Sequence, residues 1–250
     1  MTVGILILIA LGGAGLLAGF VDAIAGGGGL IALPALLAAG IPPISALGTN
    51  KVQSVIGTGA AALTYWRGGY VALRPLVVPL IVTYCAAFAG AWLVKQIDVT
   101  VLENLVPVAL VLVAIYFILT PKFSDEDRHS RLKWVPFVAL MSLIVGFYDG
   151  VLGPGTGSFL TAGFIGLFGL GATRAAGSTK FLNLASNLGA LTLFIPSSDV
   201  VWPAAAAMAI GQVIGGYLGA HTGIRFGAKL IRPLVAVVSI ALAARLLLVR

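Results

Sequence analysis

Long apolar runs, interrupted at two matching places, set the plan of this chain. Val77–Val94, Leu105–Leu119 and Leu234–Leu248 are apolar almost throughout. Each is long enough, or nearly so, to cross a hydrocarbon core about 30 Å thick. Apolar continuity, broken by glycine, proline and charge, predicts helices at about 3–21, 29–40, 46–66, 74–95 and 101–119 in the first half. The second half gives helices at about 134–150, 157–169, 174–195, 200–222 and 228–248. In each half a helix leads into a glycine block, a short apolar helix leaves it, and three longer helices follow. The segment 29–40 is too short to span comfortably, so the helices around the glycines are read as a broken or re-entrant hairpin. The expected fold class is an all-α polytopic membrane protein.

The two interruptions repeat each other. Residues 19–29 read Gly-Phe-Val-Asp-Ala-Ile-Ala-Gly-Gly-Gly-Gly, and residues 146–157 read Gly-Phe-Tyr-Asp-Gly-Val-Leu-Gly-Pro-Gly-Thr-Gly. Thr49-Asn50-Lys51 follows the first block and Ser178-Thr179-Lys180 the second. Asp22 aligns with Asp149 at an offset of 127 residues, and Lys51 with Lys180 at 129. A duplicated unit is therefore expected, with a first repeat at 1–120, a hydrophilic linker at 121–133 and a second repeat at 134–250. The linker holds Asp125, Glu126, Asp127, Arg128, His129 and Arg131, so His129 is read as a solvated loop residue.

Charge placement bears on how the repeats are related. The loop after the third element carries Arg67 and Arg74 in the first half, but only Asp199 in the second. The next loop carries Lys95, Asp98 and Glu103, against Arg225, Lys229 and Arg232. The signs swap. With five elements per repeat, the second repeat is then inverted. Arg67, Arg74, Lys122, Arg128, Arg131, Lys133, Arg174, Arg225, Lys229 and Arg232 fall inside, against Lys95, Arg245 and Arg250 outside. A parallel four-span duplication splits the same basic residues eight to five, a weaker fit to the excess of positive charge on cytoplasmic loops. Trp66, Trp92, Trp134 and Trp202 fall near the expected span ends, as interfacial anchors should.

Composition agrees. Hydrophobic residues make up 60% of the 250, charged residues only 9%, and mean hydropathy is +1.09. A soluble domain carries roughly 25% charged residues. The net charge of +7 would suggest nucleic acid in a soluble protein. Here the basic side chains are scattered singly with no aromatic-interleaved patch, so nucleic acid is not expected as a partner. The single cysteine, Cys85, excludes an internal disulfide and any multi-cysteine metal site, and is read as core filler. Met141 and Met208 read as lipid-facing or core residues, and His221 as interfacial beside Arg225. Val3–Leu17 has no basic stretch before it and is read as a retained membrane segment. No nucleophile–base constellation, phosphate-binding glycine loop, metal cluster or cofactor motif is present, so neither an enzyme nor a cofactor is expected.

The residues that could carry chemistry lie at the interruptions. Gly26, Gly27, Gly28 and Gly29 do not continue a helix without cost, and Pro154 between Gly153 and Gly155 stops one outright. Non-helical backbone at membrane depth needs protein or a water-filled cavity to satisfy its polar groups. The helix leaving each block, from Gly29 or from Thr156 and Gly157, offers free N–H groups and a positive dipole end to an anion. Close helix packing through small residues is the competing account.

Lys51 and Lys180 each start well inside apolar helices. A mid-membrane charge costs at least about 2.5–3.5 kcal/mol on insertion scales, so it should face the bundle interior with a partner. The competing account is a lysine just inside the interface, snorkelling outward. Gln53 and Thr58 accompany Lys51, and Lys180, Asn183 and Asn187 share one helix face. Asp22 and Asp149 could neutralise the lysines, leaving backbone N–H groups and amides to hold a substrate. An unpaired aspartate would instead be a proton carrier. The sequence leaves both open.

Asp22, Gly26–Gly29, Pro34 and Thr49-Asn50-Lys51-Val52-Gln53, followed by Asp149-Gly150, Gly153-Pro154-Gly155-Thr156-Gly157, Thr179-Lys180-Phe181-Leu182-Asn183 and Ser186-Asn187, resemble the two signatures of the sulfite exporter TauE/SafE family of membrane permeases. The resemblance runs from about residue 4 to 245. It implies a secondary transporter, an exporter of small sulfur-containing anions such as sulfite or organosulfonates, in the bacterial inner membrane. A passive anion channel is the alternative. The candidate substrate-binding residues are Gly26, Gly27, Gly28, Gly29, Asn50, Lys51, Gln53, Gly153, Gly155, Thr156, Gly157, Thr179, Lys180, Asn183 and Asn187. The expected partners are the anion and the lipid bilayer, and the apolar faces are compatible with a monomer or a homodimer.

Overall fold

The computed structural model describes residues 4–98, 100–101, 126–127 and 129–227. The helices expected at 101–119, beyond residue 101, and at 228–248 lie outside the described residues, as do residues 121–125 and 128 of the linker, and with them Glu103, Lys122, Arg128, Lys229, Arg232, Arg245 and Arg250. Every described element of regular structure is helical. The first half gives α1 (Ile5–Ala25), α2 (Gly29–Ala38), α3 (Pro43–Arg67) and, after a single tight turn at Arg74–Leu76, α4 (Val77–Val94). The second half gives α5 (Trp134–Val151), α6 (Thr156–Gly166), α7 (Ala172–Phe194) and α8 (Trp202–Phe226).

Each element falls where the apolar pattern places it, with two differences of consequence. Helix α1 continues past its expected end and carries Asp22 into its last turn. The middle of α5, Ala139–Val145, is wound as a wider π-helix. That segment brings Met141 against Gly163 of α6. Local π segments leave no periodicity in composition, so the sequence does not announce them.

Helices α1 and α8, the Trp134–Val151 segment and α4 with its preceding turn are long and apolar enough to cross a membrane. Helices α3 and α7 are as long but are interrupted by lysine and amide residues. These two polar helices pack on each other, and the apolar spans shield them. Helix α8 lies along α1 and α3, while α4 lies along α5 and α7. Each half has therefore given its fourth helix to the other half.

Glycines make the exchanged contacts possible. Gly211, Gly215 and Gly219 of α8 set their backbone against Gly12, Leu16 and Phe20 of α1. In the other arm Gly90 of α4 rests on the carbonyl of Phe147, the counterpart of Phe20, and Gly150 of α5 rests on Ala87. Such approach maximises dispersion contact where lipid removes the hydrophobic drive between helices. Gly215→Ala should push these backbones apart and destabilise by about 1–3 kcal/mol. Gly13→Ala, with no atom within 4 Å of the added carbon, should leave the unfolding midpoint in detergent unchanged.

The outward faces are apolar: Ile5, Leu6 and Ile9 on α1, Val78 and Ile81 on α4, Leu143 and Ile144 on α5, and Ile210 on α8 are all exposed. This is a surface for lipid. Cys85 is exposed among them, which corrects its reading as core filler. It faces outward because the inner face of α4 is taken by Thr83, Ala86, Ala87 and Gly90. Met141 and Met208 are buried, and His129 is exposed. Trp66, Trp92 and Trp202 are exposed near helix ends. Trp134 instead packs on Phe137 and Phe168, where a 400 Å³ apolar cavity lies against Tyr70 and Phe164.

Candidate functional site

Both glycine blocks end a helix and begin another, and the two breaks touch. Gly26 adopts φ +79°, in the left-handed region, and donates its N–H to Asp22 O at 2.7 Å, which closes α1. Gly153 takes the corresponding position after α5 with φ +91°. Between the breaks, backbone meets backbone: a Cβ on Gly157 would stand 2.7 Å from Gly26 Cα. Ser158 at the start of α6 donates its hydroxyl to Ala25 O at the end of α1, at 2.5 Å.

The lysines cross between the halves. Lys51 on α3 pairs with Asp149 on α5, with Nζ 2.9 Å from Oδ1 and donating to the main-chain Asp149 O at 2.5 Å. Lys180 on α7 pairs with Asp22 on α1 in the same way, 2.9 Å from Oδ2 and also bonded to Asp22 O. Both lysines are fully buried, so they face the bundle interior and do not snorkel. Each ammonium also meets the C-terminal end of a broken helix, where unsatisfied carbonyls and the negative end of the helix dipole favour a cation. Lysine and aspartate cancel, and the negative ends of α1 and α5 are covered. The positive N-terminal ends of α2 and α6 are left.

Those N-terminal ends border a small polar cavity. It is lined by Asp22, Gly26, Gly29, Asn50, Ser54, Asp149, Gly153, Gly155, Gly157, Asn183 and Asn187. Gly29 is the first residue of α2 and Gly157 the second of α6, and their N–H groups have no acceptor among the described hydrogen bonds. Asn187 Nδ2 donates to Asn183 O at 2.7 Å and to Asn183 Oδ1 at 3.0 Å, which orients the amide stripe of α7. The cavity volume is about 10 Å³, room for roughly one water and less than a sulfur oxyanion needs. The larger apolar cavity beside Trp134 shares no lining residue with it.

Of the candidate residues, Gly26, Gly29, Asn50, Gly153, Gly155, Gly157, Asn183 and Asn187 line this cavity. The others support it. Lys51 and Lys180 hold the aspartates, and Thr156 donates to Asp149 Oδ1 at 2.9 Å. Gly28 N–H reaches Asp22 Oδ1 at 3.3 Å. Gln53 donates to Asn50 Oδ1 at 2.7 Å, and Thr179 accepts from Thr161 at 3.1 Å. Gly27 packs on Val21 and Leu30. Ser54 is not among the sequence candidates. The offset of 129 residues maps it onto Asn183, and that correspondence could have found it.

The sequence model of the family described as sulfite exporter TauE/SafE matches residues 11–246. This chain belongs to that family. It is 46% identical over 236 residues, 94% of this chain and 90% of the relative, to a probable membrane transporter protein, ORF9, of Sinorhizobium sp. It is 38% identical to the probable membrane transporter protein YfcA of Escherichia coli K12, over 99% of this chain and 90% of that one. A probable membrane transporter protein of Haemophilus influenzae is 40% identical, over 98% of this chain and 96% of its own length. No solved structure matches the chain. As a TauE/SafE protein the chain is a membrane transporter.

Proposed function

We propose that this TauE/SafE chain is a secondary transporter that exports small sulfur-containing anions, such as sulfite or organosulfonates, across the bacterial inner membrane. One observation carries the reading. The buried polar cavity is bordered by two helix N-termini and by amides, in surroundings where the four fixed charges pair off. Pre-aimed N–H groups and amides suit a compact tetrahedral anion, which needs many donors and little net charge. The two halves act as inverted copies, each contributing one glycine break and one amide-bearing helix to a shared site. Because the cavity is smaller than the anion, loading requires the halves to part along the contact of Gly26 with Gly157. Rocking about this seam gives alternating access.

The test is flux and binding with Asn183→Ala and Asn187→Ala in purified protein. Each should weaken sulfite binding about tenfold, equivalent to about 1.4 kcal/mol, with thermal unfolding little changed. Unaltered binding in both would remove the amide stripe from the site. A passive channel is the rival reading, and the closed cavity counts against it. Proteoliposome flux should therefore saturate with sulfite concentration, and unsaturable current in a planar bilayer would overturn the carrier reading.

A further inference from the structure

The two crossed ion pairs are not equivalent. Asp22 has both carboxylate oxygens occupied: Oδ1 accepts from Gly28 N–H at 3.3 Å, and Oδ2 accepts from Lys180 at 2.9 Å and from Thr58 Oγ1 at 3.5 Å. Asp149 concentrates its partners on Oδ1, which takes Lys51 and Thr156, each at 2.9 Å. Its Oδ2 is buried and has no hydrogen-bond partner. Asp149 is only 1% exposed, and it lines the polar cavity. Buried polar oxygens are almost always satisfied, and an exception calls for a functional account.

We propose that Asp149 Oδ2 is a proton-binding site, and that a proton there is taken up together with the anion. This rests on the anion-carrier reading above and deepens it. A hydronium ion gives its proton to Oδ2, one O–H bond breaking as the other forms and a water leaving, and Lys51 stays an ammonium. Two consequences follow at once. The cavity wall goes from neutral to a net single positive charge, because Lys51 has lost its counter-charge. The new O–H also needs an acceptor, and a sulfonate or sulfite oxygen in the cavity is one. Each ligand therefore favours the other by the same factor, as linkage demands. For a monoanion the loaded site is neutral again, so membrane potential exerts little force on it. The direction of transport then follows the summed proton and anion gradients.

The neighbouring groups leave Asp149 as the position that differs. Among the described residues, the charged groups around the cavity are Asp22 on α1, Lys51 on α3 and Lys180 on α7, and the buried Tyr65 of α3 gives its hydroxyl to Ala23 O at 3.1 Å. The other charged residue of α7, Arg174, pairs with Asp127 at an exposed position. On α4, Tyr84 and Cys85 are exposed, and α6 has no ionisable residue. Tyr148, next to Asp149 on α5, spends its hydroxyl on Pro154 O at 2.6 Å.

The probe is methanesulfonate, which does not itself titrate near neutral pH. Calorimetry on the full-length protein in detergent, repeated in buffers of different ionisation heat, counts protons taken up per anion bound. About one proton is expected, with affinity falling as pH rises. Asp149→Asn should bind methanesulfonate with no proton uptake and no pH dependence, whereas Asp127→Asn, at the exposed pair with Arg174, should keep the uptake. If Asp149→Asn does not fold, the wild-type proton count still decides. Anion binding with no proton uptake would overturn the coupling while leaving the anion site intact. Absence of binding by either methanesulfonate or sulfite would remove the carrier reading and the coupling together.

Discussion

Lys180→Met should destabilise the protein by about 3–5 kcal/mol, because it leaves the Asp22 carboxylate buried without its counter-charge. Lys180 Nζ lies 2.9 Å from Asp22 Oδ2, and the side chains are only 1% and 8% exposed. Among the described residues no nearby cation is free to replace it, since Lys51 is engaged with Asp149. Neutralising both partners, Lys180→Met with Asp22→Asn, should recover most of the loss, since no buried charge then stands alone. Thermal unfolding of the detergent-purified variants reads this directly. A single variant no less stable than the double would mean that water reaches Asp22 and that the pair is not shut away from bulk solvent.

The second large effect is expected at the seam between the glycine breaks. Gly157→Ala places a methyl 2.7 Å from Gly26 Cα and 2.8 Å from Gly26 O, backbone atoms that have nowhere to retreat. Over-packing of this kind costs about 1–3 kcal/mol in a core, and here it falls on the contact along which the halves part. Anion flux in proteoliposomes should drop by at least about a hundredfold, the rate equivalent of roughly 2.7 kcal/mol. Gly27→Ala is the control, because its nearest neighbours, Val21 Cγ1 and Leu30 Cδ1, lie at 3.6 and 3.7 Å. It should transport normally. Equal flux from both variants would show that the seam does not move during transport.

Much of the architecture is legible in the amino-acid order. Apolar continuity and its breaks at glycine, proline and charge place the eight described helices, and the four apolar spans leave the longest signal. The matched strings around Asp22 and Asp149 mark the cavity's edges, since an apolar run gains nothing in lipid from carrying an aspartate beside clustered glycines. The duplicated motif, with the helical spacing from its lysines, also leads to Asn50, Asn183 and Asn187, which do line the cavity. It does not say which lysine meets which aspartate. Equivalence is a relation within the chain, whereas pairing depends on how two copies face each other, and Lys51 crosses to Asp149 rather than staying with Asp22. The lysines are expected among the substrate-binding residues, and the structure occupies both with aspartate and a helix end. The outward position of Cys85 is not legible, because an apolar helix with little amphipathic contrast does not reveal which side faces lipid.

The exchange of α4 and α8 has a consequence for how the molecule is made. When α4 leaves the ribosome, the helices it must lie against, α5 and α7, have not been synthesised. It has to wait in the bilayer as an unmatched rod until the C-terminal portion arrives. Helices α1 and α3 wait likewise for α8, which comes late. Neither portion can reach its final arrangement alone, so a severed gene should yield inert fragments when expressed singly and a working carrier when both fragments are made in the same cell.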